Sequence, residues 1–193
     1  MDEAWATYEP VGFTIPGDPV QLPDKDRVVR FYLEQVMKFI DREIFEQRQE
    51  LISQIQETGS LRARNSLGVL YARYGLSDEA EQEFQKVLAQ REYVPTLVNM
   101  GNIAYLRDDL SAAKYYYDWA ARKAPENPAV LVSLARVNHE IENYSEANVA
   151  YSKLKSIDPA LAEQFAYLES RGSDTARAAD INKMKGVVVW DED

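Results

Sequence analysis

Three blocks of this 193-residue chain repeat one pattern at a period close to 34 residues, and that self-similarity limits the possible folds more than any other feature. The blocks cover residues 65–88, 99–125 and 133–159. In each, a small residue (Gly68, Gly101, Ala135) is followed twelve positions later by alanine (Ala80, Ala113, Ala147), and four further on by an aromatic ring (Phe84, Tyr117, Tyr151). Two helices joined by a tight turn account for this spacing. Small residues let the helices approach closely, and the ring fills the space one turn later. The alanines are 33 residues apart between the first two blocks and 34 between the last two, so one residue is missing between Phe84 and Gly101. The segment 90–93 is the natural place for that deletion, because Glu92 stands where Pro125 and Pro159 close the other blocks.

At these positions the sequence resembles the tetratricopeptide-repeat (TPR) family over residues 61–159, about half the chain. It departs from the family pattern in two places. Arg64, Leu97 and Leu131 stand where a tryptophan is frequent, and the family tyrosine is kept at Tyr71 but replaced by Ala104 and Asn138. The resemblance implies an all-α fold, a right-handed superhelical solenoid of antiparallel helix hairpins with irregular N- and C-terminal extensions. The expected divisions are an extended, proline-containing segment over 1–23, a helical segment over 24–60 readable as a degenerate repeat, three hairpins with a capping helix over 61–171, and a tail with a short helix and an acidic end over 172–193.

The flanks carry their own signals. Apolar residues at three- and four-residue spacing, including Val29, Phe31, Val36, Ile40, Ile44, Leu51 and Ile55, predict helix over 26–57, stopped at Gly59. Either one long helix or a hairpin bending within 41–47 fits, and Glu34 and Glu46 fall where Gly and Ala belong in a full repeat. Pro10, Pro16, Pro19 and Pro23 prevent a helix at the start, although Trp5, Tyr8 and Phe13 give that segment apolar surface to bury. Residues 160–171 predict the cap that a repeat array needs on its last apolar face. A short helix is expected over 176–185, and the chain then ends in three valines, Trp190, Asp191, Glu192 and Asp193.

Composition excludes several functions. The formal charge of −10 disfavours a general nucleic-acid binder. No stretch reaches the roughly 20 apolar residues of a membrane span. Without cysteine there are no disulfides, thiolate metal sites or cysteine nucleophiles. His139 is the one histidine, and neither a phosphate-binding glycine loop nor a Gly-x-Ser-x-Gly elbow occurs. No enzyme, catalytic residue, metal site or cofactor is expected. The compartment stays open, with the cytoplasm favoured over an exported chain that has lost its leader.

What the TPR resemblance implies is an adaptor whose partner is a protein or peptide, held in a concave groove lined by the first helix of each pair. Transferring the family register selects Arg62, Asn65 and Val69 from the first repeat, Val98, Asn99, Asn102 and Tyr105 from the second, and Val132, Arg136 and His139 from the third. Asparagine suits this role because its amide both donates and accepts, matching main chain without demanding a sequence. The family's clamp for a C-terminal carboxylate is not expected: Asn99 matches, but Asn65, Val69, Ala129 and Ser133 stand at the other positions. Arg62, Arg73, Arg107 and Arg136 would favour an acidic peptide if they formed one strip. The chain's own Trp190, Asp191, Glu192 and Asp193 are a candidate groove ligand, which gives the competing expectation of a structural subunit that self-associates through its tails or solenoid ends. Tyr115, Tyr116, Tyr117 and Trp119 cannot all face one side of a helix, so at least one ring is expected near the surface.

Overall fold

The structure, a computed structural model, describes residues 25–169 and 188–192. The extended start (1–23) and the short helix expected over 176–185 lie outside the described residues. The chain divides into two units, Met1–Phe39 and Ile40–Asp193. In the first, the described residues belong to α1 (Lys25–Glu43), where Phe31, Tyr32, Leu33, Val36 and Phe39 are exposed and the Phe31 and Tyr32 rings meet edge to face at 5.8 Å.

The second unit carries the end of α1 and eight further helices among the described residues. These are α2 (Phe45–Thr58), α3 (Leu61–Arg73), α4 (Ser77–Leu88), α5 (Val94–Leu106), α6 (Leu110–Lys123), α7 (Pro128–Glu140), α8 (Tyr144–Ile157) and α9 (Pro159–Gln164), followed by a 3-10 turn over Ala166–Glu169. No strand occurs among the described residues. Each helix from α2 onward packs on the next, and α5 also packs on α3 and α7.

Local chemistry sets the helix ends. Ser60, Asp109 and Asp158 each accept a backbone N–H three residues on (Ala63, Ala112 and Leu161, 2.9–3.1 Å), and Asn127 caps the amides of Ala129 and Val130. Pro95, Pro128 and Pro159 occupy first-turn positions, where a missing N–H costs nothing. Gly59 ends α2 with φ 65°. Within the pairs, Gly75, Asp108 and Glu142 adopt positive φ at equivalent turn positions, so the repeat recurs in the backbone as well as in the side chains.

Between α1 and α2 the alternatives resolve at Ile44. Its torsions remain near helical (φ −93°, ψ −2°), and helical hydrogen bonds run through it from Arg48 to Ile40, so residues 40–48 interrupt the helix only slightly. Ile44 is buried against Leu67 and Leu70 of α3, with Ile40, Leu51, Ile52 and Ile55 beside it.

The pair cores follow the repeat. A methyl group added at Gly68 would overlap the Phe84 ring, and one at Gly101 would overlap the Tyr117 ring. Ala135 and Tyr151 share the third core with Leu131, Leu154 and Phe165. The backbone locates the missing residue. α4 ends four residues after Phe84, whereas α6 runs six past Tyr117, and the link to α5 (89–93) is one residue longer than the link 124–127. Helical hydrogen bonds nonetheless continue past Leu88 at Ala89 and Arg91, and Arg91 is the equivalent of Ala124, which bonds Ala120 in the same way, so the missing residue falls in the loop just before α5. The expected cap differs, since α9 stops at Gln164 and gives way to the 3-10 turn. Phe165 and Leu168 are buried against α7 and α8, and the Tyr151 hydroxyl donates to the Ala162 carbonyl at 3.1 Å.

Candidate functional site

The candidate face is built from α3 and α5, which put Asn65, Asn99 and Asn102 side by side. Asn65 and Asn99 stand one repeat position apart, Val98 being the equivalent of Asn65, and Asn102 follows Asn99 by one helical turn. Asn99 Nδ2 donates to Asn65 Oδ1 at 3.0 Å, and the Thr96 hydroxyl donates to the same oxygen at 2.9 Å. The Tyr117 hydroxyl donates to Asn102 Oδ1 at 2.8 Å. Each amide is thereby fixed in orientation, with an N–H left to face outward.

Those outward groups meet the segment 188–192, which has no regular secondary structure. Asn65 Nδ2 and Asn99 Nδ2 both donate to the Asp191 carbonyl, at 2.8 and 2.7 Å. The Asp191 N–H donates back to Asn99 Oδ1 at 2.9 Å, and Asn102 Nδ2 donates to the Val189 carbonyl at 2.8 Å. Only alternate residues, 189 and 191, are held. An extended chain presents its main-chain groups to one side with that spacing. All four bonds go to main chain, so the amides accept any residue at these places.

Side chains of the segment take separate seats. Val188 packs on the cluster of Val98, Tyr117 and Val130, Val189 on that of Leu131 and Phe165, and Trp190 on that of Val69, Met100 and Ile103. The Asp191 carboxylate lies 3.5 Å from Asn127 Nδ2, and Glu192 pairs with Arg73. Both members of that pair are about half exposed, so it contributes little by itself.

The residues selected from the family register lie on α3, α5 and α7, but their surroundings differ from the expected exposed surface. Asn65, Val69, Val98, Asn99, Asn102, Tyr105, Val132, Arg136 and His139 are all buried, and Arg62 alone is exposed. The reason is twofold: Val98 and Val132 fill the cores, and the segment 188–192 lies against the asparagines. Asp193 lies outside the described residues.

The four arginines do not share one environment. Arg107 pairs with Asp78 and Glu81, Arg73 with Glu192, and the buried Arg136 guanidinium stacks over the Tyr105 ring at 4.7 Å and the Phe165 ring at 5.7 Å. Burial pushes the Tyr105 and Tyr117 hydroxyls well above the usual tyrosine range and raises that of Tyr167, with Arg136 opposing the shift in each case. His139 meets Tyr144 and Tyr167 edge to face at 5.3 and 5.8 Å. In the aromatic cluster of α6, Tyr117 is buried while Tyr115 is exposed, with its ring edge-on to Tyr116 and Trp119.

Among the described residues no group of three His, Cys, Asp or Glu is placed to hold a metal ion, and no helix is long and apolar enough to cross a membrane. Sequence reasoning missed Thr96 and Asn127. Thr96 has Ala63 and Val130 at its repeat equivalents, and Asn127 reads only as a helix cap.

The chain is 28% identical over 104 residues, 54% of its length, to tetratricopeptide repeat protein 8 of Mus musculus, and equally so to the Homo sapiens protein of that name. It spans about a fifth of the length of these relatives, 20% and 19%. No family model matches, and no solved structure matches. The all-helical fold and the consecutive packing of its helix pairs agree with a TPR-like chain.

Proposed function

We propose that this chain is a non-catalytic protein-interaction module, an adaptor that holds a peptide or protein segment by its main chain along α3 and α5, in a right-handed solenoid of antiparallel hairpins. The observation that carries this reading is the set of four hydrogen bonds between Asn65, Asn99 and Asn102 and the main chain of Val189 and Asp191. A face that satisfies main-chain donors and acceptors and provides separate apolar seats has the recognition chemistry of an extended polypeptide. Similarity to proteins named for tetratricopeptide repeats supports a role in binding protein.

Selection of displayed random peptides on the chain lacking residues 186–193, followed by affinity measurement on its Asn99→Ala/Asn102→Ala variant, tests the reading. Selected peptides should bind the variant at least ten-fold more weakly. Undiminished binding would place recognition elsewhere.

The second reading, a self-associating structural subunit with the face filled by its own tail, draws on the same segment. Sedimentation over a concentration series separates the two, since the adaptor keeps monomer mass and the subunit gains mass without a partner.

A further inference from the structure

We infer that residues 188–192 are a built-in competitor for this face, and that the partner segment they hold off shares their chemistry: two β-branched residues, a tryptophan and an acidic pair. The inference rests on the proposed main-chain-binding face and adds to it the class of ligand and its control.

Three features carry it. Each of the five residues has its own seat: Val188, Val189 and Trp190 on three separate apolar clusters, the Asp191 carboxylate at Asn127, and Glu192 at Arg73. The asparagines fix the register of the main chain, and these seats then decide which side chains fit. A replacing segment must offer matching groups at the same spacing.

The segment is also only half-buried along its whole length, so it covers the cores rather than belonging to them. When it leaves, the outward N–H groups of Asn65, Asn99 and Asn102 face water, which replaces the lost main-chain partners. No buried polar group is orphaned, and release stays reversible.

Finally, residues 170–187 tether the segment to the last described turn of the array. A ligand joined to its site through so short a length of the same chain stands at an effective concentration on the order of millimolar. A free segment of equal intrinsic affinity then binds more weakly by the ratio of that concentration to its own dissociation constant, which is about a hundred-fold for a ligand of about 10 μM.

The test uses a fluorescein-labelled peptide of residues 186–193 and three proteins: the intact chain, the chain ending at Lys185, and the intact chain carrying Trp190→Ala. Fluorescence anisotropy should show saturable binding to the shortened chain and at least ten-fold weaker binding to the intact one. The Trp190→Ala chain, whose length is unchanged, should fall between them. Asn99→Ala in the shortened chain should lower its affinity at least ten-fold.

Equal binding by the intact and shortened chains would overturn the competitor while leaving the main-chain face in place, provided Asn99 still matters. Failure of the shortened, helical chain to bind this peptide while it binds selected peptides through Asn99 would overturn the ligand class alone. Binding insensitive to Asn99 would remove both readings. An intact chain that is dimeric, and becomes monomeric on shortening, would give the seat to a second copy and overturn the intramolecular competitor.

Discussion

The ring of Tyr117 lies against the α-carbon of Gly101, with no room between them for a methyl group, and the same ring's hydroxyl reaches Asn102. One side chain thus sets the approach of α5 and α6 and orients an amide of the candidate face. Gly101→Ala forces the helices apart or turns the ring, and overpacking of this kind costs about 1–3 kcal/mol. Urea unfolding should show that loss, with a matching loss for Gly68→Ala against Phe84. Unchanged stability in both would mean that the pairs do not pack through these glycines.

The turns within the pairs give a prediction of opposite sign. Asp108 and Glu142 hold φ of 62°, where Gly75 stands in the first pair. A left-handed residue with a side chain is strained by about 1–2 kcal/mol, less for aspartate, which tolerates this region better. Glu142→Gly should stabilise the chain by about 1 kcal/mol and Asp108→Gly by less. A destabilising Glu142→Gly in thermal or urea unfolding would show that the strain is absent.

These two relationships differ in how far they could be read from sequence. Small residue, alanine and ring recur in phase at Gly68, Ala80 and Phe84 and their equivalents, so volume complementarity was legible, and with it the helix pairs. The asparagines were legible as a row, but their burial was not. Their partner, Asp191, stands 126 residues from Asn65 and 92 from Asn99, and a contact at that separation leaves no periodic trace. The position of the missing residue was legible as well, because the absent proline marks the loop between α4 and α5.

Buried tyrosines make stability depend on pH at the alkaline end. Burial raises Tyr117 and Tyr105 above the ordinary value of 10.0 in the folded state, so at high pH the unfolded chain binds fewer protons. Their contribution is fully present below pH of about 10 and is lost as pH rises above it, by up to about 1.4 kcal/mol per unit for each ring. Absorbance of tyrosinate at alkaline pH should therefore lag behind that of free tyrosine until the helical circular dichroism collapses. If all twelve tyrosines ionised near 10 with the helices intact, the packing around Tyr105 and Tyr117 would be wrong.

The seating of residues 188–192 depends most directly on the bonds between the Asn99 side-chain amide and the Asp191 main chain. Hydrogen exchange of the Asp191 amide, followed by NMR on the intact chain, reads the bond from that amide to Asn99 Oδ1. The amide should exchange at least ten-fold more slowly than in a free peptide of residues 186–193, and Asn99→Ala should return it to the free rate. Free-peptide exchange in the intact chain would contradict the seating of residues 188–192 on this face.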